Sequence, residues 1–139
     1  MKKDIPKGLI AFSVILIISA IWAVSILFRA DPNMIYLGKI FSGLPFKMYY
    51  VALGILNLII SFGVIKLRRW SYICFMILTA YVILISILNV VLTNVETLLQ
   101  VGWKLSDNNM SSFYLVQGLA ITLSAIMFAW LHRYRKLLR

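Results

Sequence analysis

Hydrophobic positions gather into four long runs, 8–28, 46–65, 72–92 and 113–131. At a rise of ~1.5 Å per residue, each is long enough to cross the ~30 Å hydrocarbon core of a bilayer as a helix. No charged residue lies deep in any run. The pattern predicts an all-α membrane protein, a single domain over 1–139 built as an up-down-up-down four-helix transmembrane bundle. A basic start before the first run resembles a signal peptide. The run exceeds the ~7–15 residues of a signal core and no small-x-small site follows, so a retained first helix is expected.

The polar breaks differ in character. Lys66-Leu67-Arg68-Arg69-Trp70 is the only interruption between the second and third runs, and it predicts a tight charged turn joining antiparallel neighbours. In 29–45, Asp31-Pro32 reads as an N-cap followed by proline at the first helical position. Met34, Leu37 and Phe41 then fall near helical spacing, with Gly43 and Pro45 as stop signals, which predicts a short interfacial helix. In 93–112, Thr93-x-x-Glu96 matches a capping box, and Val95, Leu98, Leu99 and Gly102-Trp103 follow with helical period. A second short interfacial helix, or a bent extension of the third span, is expected there. Ser106-Asp107-Asn108-Asn109 reads as a polar turn.

Composition agrees with a membrane setting. The chain is 63% hydrophobic and 13% charged, against roughly 45–50% and 25% in soluble domains. Its net charge of +10 gathers at the ends of the runs. It therefore points to topology and to anionic lipid rather than to nucleic acid, for which motif and soluble domain are both missing. With four spans, Lys2, Lys3, Lys7, Lys66, Arg68, Arg69, Arg133, Arg135, Lys136 and Arg139 share one side, against Arg29, Lys39, Lys47 and Lys104 on the other. The positive-inside rule then places both termini in the cytoplasm. Trp70, Tyr72, Trp130 and Tyr134 would form an inner aromatic belt, and Tyr36, Tyr49, Tyr50, Trp103 and Tyr114 an outer one.

Several chemistries are disfavoured. Proton relays, ion-coupled transport and intramembrane catalysis place ionisable groups at membrane depth, where none is found here. Cys74 is the single cysteine, so a Cys-x-x-Cys oxidoreductase is excluded, and the single histidine, His132, lies in the basic tail. No catalytic residue, cofactor or metal site is expected.

Two constellations remain. On the second span, Tyr50, Gly54, Asn57 and Ser61 share a face; on the third, Thr79, Ser86 and Thr93 are seven apart, with Asn89 beside them; on the fourth, Gln117, Ala120 and Ser124 line one face and Gly118, Thr122, Ala125 and Ala129 the next. Asn57, Ser61, Ser86, Asn89 and Gln117 could wall a polar cavity for a neutral or lipid-like ligand. The alternative is that small and hydroxylated residues let helices approach closely and hydrogen-bond across the contact. The other constellation is Lys66, Arg68, Arg69, Arg133, Arg135 and Lys136, read either as topology determinants alone or as a surface for anionic headgroups or an acidic partner.

The pattern Ile5-Pro6-Lys7-Gly8 before a long apolar run resembles small, uncharacterised four-span membrane proteins of bacteria. So does Leu53-Gly54-Ile55 continuing to Gly63-Val64-Ile65-Lys66-Leu67-Arg68-Arg69-Trp70. The resemblance implies an inner-membrane location and transfers no functional residue. The leading expectation is a non-enzymatic accessory or assembly subunit binding a membrane partner, with membrane lipids as further partners. The alternative is an oligomeric transporter, channel or lipid-binding protein.

Overall fold

A computed structural model describes residues 5–29, 33–94 and 107–138 of the chain. The described residues are mostly helical. They form α1 (Lys7–Ser25, continued by a 3-10 turn over Ile26–Phe28), α2 (Gly43–Ile65), α3 (Arg69–Leu92) and α4 (Asp107–Arg133). Each has the length and hydropathy of a membrane-crossing helix. The helices overrun the apolar runs because backbone hydrogen bonding continues past the last apolar side chain. Asp107, expected in a polar turn, is instead the first residue of α4. The second interfacial helix expected after Thr93 falls on 95–106, outside the described residues.

The first loop corrects the sequence reading. Its described residues form no interfacial helix, and the Asp31-Pro32 cap lies outside them; Asn33–Tyr36 (β1) and Lys39–Ser42 (β2) pair as an antiparallel hairpin, with Ile35 opposite Ile40 and Tyr36 opposite Lys39. Met34-Ile35-Tyr36 and Lys39-Ile40-Phe41 are rich in β-branched and aromatic residues, which suit a pleated surface. Between them Leu37 and Gly38 both take positive φ, 52° and 72°, the conformation of a two-residue primed turn. Gly43, with φ 70°, makes the bend into α2. Pro45 does not stop that helix, since it sits in the first turn, where its missing N–H has no partner to lose.

α1 and α2 form the closest pair. Ser61 Oγ donates to the Ser13 carbonyl at 3.2 Å and Ser13 Oγ returns to the Ser61 carbonyl at 3.5 Å. Asn57 Nδ2 donates to Ser19 Oγ at 3.3 Å, and Trp22 and Tyr50 stack edge to face. Partner positions descend along α2 as they ascend along α1. Gly54 makes this possible: a Cβ there would stand 3.2 Å from the Ala20 carbonyl and 3.4 Å from Ala23 Cβ.

All four helices meet at one end. Leu9, Phe12 and Leu16 of α1 cluster with Ile60 and Val64 of α2, Phe75 of α3, and Leu131 and Leu138 at and beyond the end of α4. Phe12 is the hub, edge-on to Phe75 at 5.0 Å and to Trp130 at 6.2 Å between centroids. Tyr72 Oη and His132 Nδ1, 2.8 Å apart, tie the start of α3 to the end of α4.

The 66–70 turn lies at the same end. Arg68 N–H donates to the Gly63 carbonyl at 2.8 Å and Leu67 N–H to that of Val64 at 3.0 Å, a Schellman closure of α2. The residue in the left-handed position is Leu67, φ 53°, where glycine is usual. The strain of roughly 1–2 kcal/mol is offset by packing of its side chain on the core. The chain then doubles back so tightly that a Cβ on Gly63 would stand 2.6 Å from Ser71 Cβ.

Candidate functional site

The polar residues within the apolar helices occupy separate interfaces. Asn57 and Ser61 face α1 through the hydrogen bonds above. Asn89 is buried on α3 and faces the hairpin: its Oδ1 accepts from Leu37 N–H at 2.8 Å and its Nδ2 donates to the Ile35 carbonyl at 3.1 Å. Ser86 is buried one turn earlier on α3. Gln117 is half-buried on α4. The amides of Asn57 and Asn89 are thus engaged with different neighbours.

A cluster that the sequence did not reveal lies beside the hairpin. Tyr81 Oη of α3 is 2.8 Å from Tyr36 Oη of β1 and 3.2 Å from Tyr49 Oη of α2. Phe41, Phe46 and Tyr50 stack around these rings. The hydrogen bond to Tyr81, with a smaller effect of burial, holds the Tyr36 phenol above its ordinary pKa of 10.0. The available signal was Tyr81 itself, since a phenol in the middle of a long apolar helix calls for a hydrogen-bonding partner.

Between its two ends the α2–α3 contact opens into an apolar slot of about 410 Å³, lined by Tyr49, Ala52, Leu53 and Leu56 on α2 and by Cys74, Ile77, Leu78 and Tyr81 on α3. This lies within the roughly 300–1,000 Å³ of small-molecule sites. The Tyr49–Tyr81 hydroxyl contact bounds one end; at the other the lining stops at Leu56 and Cys74, and beyond them the helices come together where Gly63 approaches Trp70 and Ser71. Cys74, the lone thiol, is half-buried in the wall.

Lys66, Arg68 and Arg69 are exposed around the turn, and Arg133, Arg135 and Lys136 are exposed where α4 ends, both at the convergent end of the helices. The sequence contains no acid between Asp31 and Glu96, so neither α2, the turn nor α3 supplies a counter-charge of its own. Among the described residues no cluster of His, Cys, Asp or Glu could hold a metal.

α4 differs from the other helices. Only 6% of its apolar stretch is buried within the chain, against 39% for α1. Gly118, Thr122, Ala125 and Ala129 are exposed along it, and a Cβ added at Gly118 would touch nothing within 4 Å. Thr122 Oγ1 turns back to the Gly118 carbonyl of its own helix at 2.8 Å. Comparisons with protein families, curated proteins and solved structures return no match.

Proposed function

We propose that the protein is a non-enzymatic subunit of the bacterial inner membrane that recognises another membrane protein through α4. In this reading the four helices cross the bilayer up-down-up-down, with both termini and the 66–70 turn in the cytoplasm. The charge distribution supports that orientation. The observation that carries the assignment is the exposed row Gly118, Thr122, Ala125 and Ala129. Lipid is as apolar as leucine, so a lipid-facing helix gains nothing from small residues, whereas a helix–helix contact gains close approach and dispersion.

The test is the composition of the complex extracted in mild detergent. The expected result is a second membrane polypeptide in fixed ratio, displaced by Gly118→Leu and by Ala125→Leu, with the helix content of the subunit unchanged. A monomer carrying no other polypeptide, or a complex indifferent to both substitutions, would overturn the reading. The slot between α2 and α3 favours lipid binding as a second activity.

A further inference from the structure

We infer that the α2–α3 slot is a site for one acyl chain of an anionic phospholipid, whose phosphate is held by the cations of the 66–70 turn. Three independent features converge on this ligand.

The first is the shape and lining of the slot. Its walls are aliphatic apart from Cys74 and the phenols of Tyr49 and Tyr81, so its occupant is a hydrocarbon. The two helices are joined at one end of the slot by the Tyr49–Tyr81 contact and beyond the other by the Gly63 approach to Ser71. A transmembrane helix, about 10 Å across with its side chains, cannot enter between helices pinned above and below. A single acyl chain can.

The second is a continuous path from the turn into the slot. Arg69, Ile73, Ile77 and Tyr81 follow one another at intervals of four and form a ridge that winds gradually around α3 from the turn to the slot, which Ile77 and Tyr81 line. Ile73 and Ile77 are 43% and 61% exposed, large apolar side chains open to the hydrocarbon phase. Along α3, Arg69 to Tyr81 is about 18 Å at ~1.5 Å per residue, a distance suited to an acyl chain lying against the helix from headgroup depth inward.

The third is charge. Lys66, Arg68 and Arg69 are exposed at the start of this path, with no acid in either helix or the turn. Each cation near an anionic surface contributes about 1 kcal/mol, so the phosphate selects the lipid and the slot selects the position of its tail. Topology alone would need the charges but not the slot or the stripe leading to it.

The full chain is purified in mild detergent, and its retention of added phosphatidylglycerol or phosphatidylcholine is read by native mass spectrometry. One phosphatidylglycerol per chain is expected, with phosphatidylcholine bound much more weakly. Replacing Lys66, Arg68 and Arg69 together with Gln weakens binding about 100-fold. Ala52→Phe and, separately, Ile77→Trp fill the slot from opposite walls and abolish one-to-one retention while leaving the cations in place. Alkylation of Cys74 by a maleimide is slowed by phosphatidylglycerol in the wild type and not in the triple-Gln variant. Helix content and monodispersity check that each variant is folded. Equal retention of the two lipids, or undiminished retention in both slot-filling variants, overturns the site. So does a second polypeptide whose release, rather than lipid, restores Cys74 reactivity.

Discussion

Asn89 Oδ1 lies 2.8 Å from the backbone nitrogen of Leu37, so one amide on α3 takes up the N–H that the hairpin turn leaves free. The Asn89 Nδ2 bond to the Ile35 carbonyl makes the same side chain a short substitute for a third strand. The bond to Ile35 is buried and that from Leu37 partly so, and a buried backbone group left without a partner costs about 1–3 kcal/mol. Asn89→Leu is therefore expected to lower stability by about 2–4 kcal/mol and to raise hydrogen exchange through 35–41. Unchanged exchange in the hairpin would show that Asn89 does not hold it.

The tyrosine cluster predicts a pH response. Tyr36 in the folded protein has a pKa above 10.0, so it keeps its proton longer than in the unfolded chain. The stability this contributes is fully present below the unfolded value and is lost as pH rises through the folded one. Tyr81→Phe removes the main cause of the shift. Ultraviolet phenolate titration, taken as the difference from Tyr36→Phe, should show Tyr36 titrating closer to its ordinary range in the Tyr81→Phe background.

Gly63→Ala sets two effects against each other. Alanine favours a helix interior over glycine by about 1 kcal/mol. The new Cβ would stand 2.6 Å from Ser71 Cβ, a buried residue beside the backbone of α3. Overpacking of this kind costs typically 1–3 kcal/mol, and the closeness of the contact places the result toward destabilisation. A lower unfolding midpoint in detergent checks it, and a rise would mean that the turn relaxes freely.

Asn57→Leu should change little. The residue is half-buried and its bond to Ser19 is 3.3 Å long; interhelical hydrogen bonds in membranes average about 0.6 kcal/mol. Ser13 and Ser61 hold the same seam. A loss of more than about 2 kcal/mol in a thermal or denaturant titration would show that Asn57 does more than join α1 to α2.

Neutralising Lys66, Arg68 and Arg69 should also relax membrane orientation, because it lowers the charge bias between the loops. Accessibility of reporter cysteines placed in each loop of a Cys74→Ser background measures this. If orientation holds while lipid retention falls, the turn is a binding element first and a topology signal second.

The residues themselves explain what could be read in advance. Uninterrupted apolar runs need only length and composition to signal a helix, and the four helices follow from them. The charged break at 66–70 likewise marks a turn without reference to anything distant. The hairpin was harder. Leu37-Gly38 is a weak turn signal beside Asn-Gly, and Met34, Leu37 and Phe41 match helical spacing equally well. What stabilises the turn is Asn89, 52 residues away, together with the room at Leu92 that only a glycine at 38 leaves.

The sequence by itself determined the local elements that continuous hydrophobicity and charge specify: four apolar helices, and a basic turn and tail. Tertiary structure decided the partners. Asn57 and Asn89 are chemically alike, and nothing local assigns one to α1 and the other to a β-turn. Tyr81 shares its hydroxyl with Tyr36 and Tyr49 only because α2, α3 and the hairpin converge there. A hydrogen bond depends on distance and direction between groups far apart in the chain, whereas the transfer of apolar surface from water depends on how much there is.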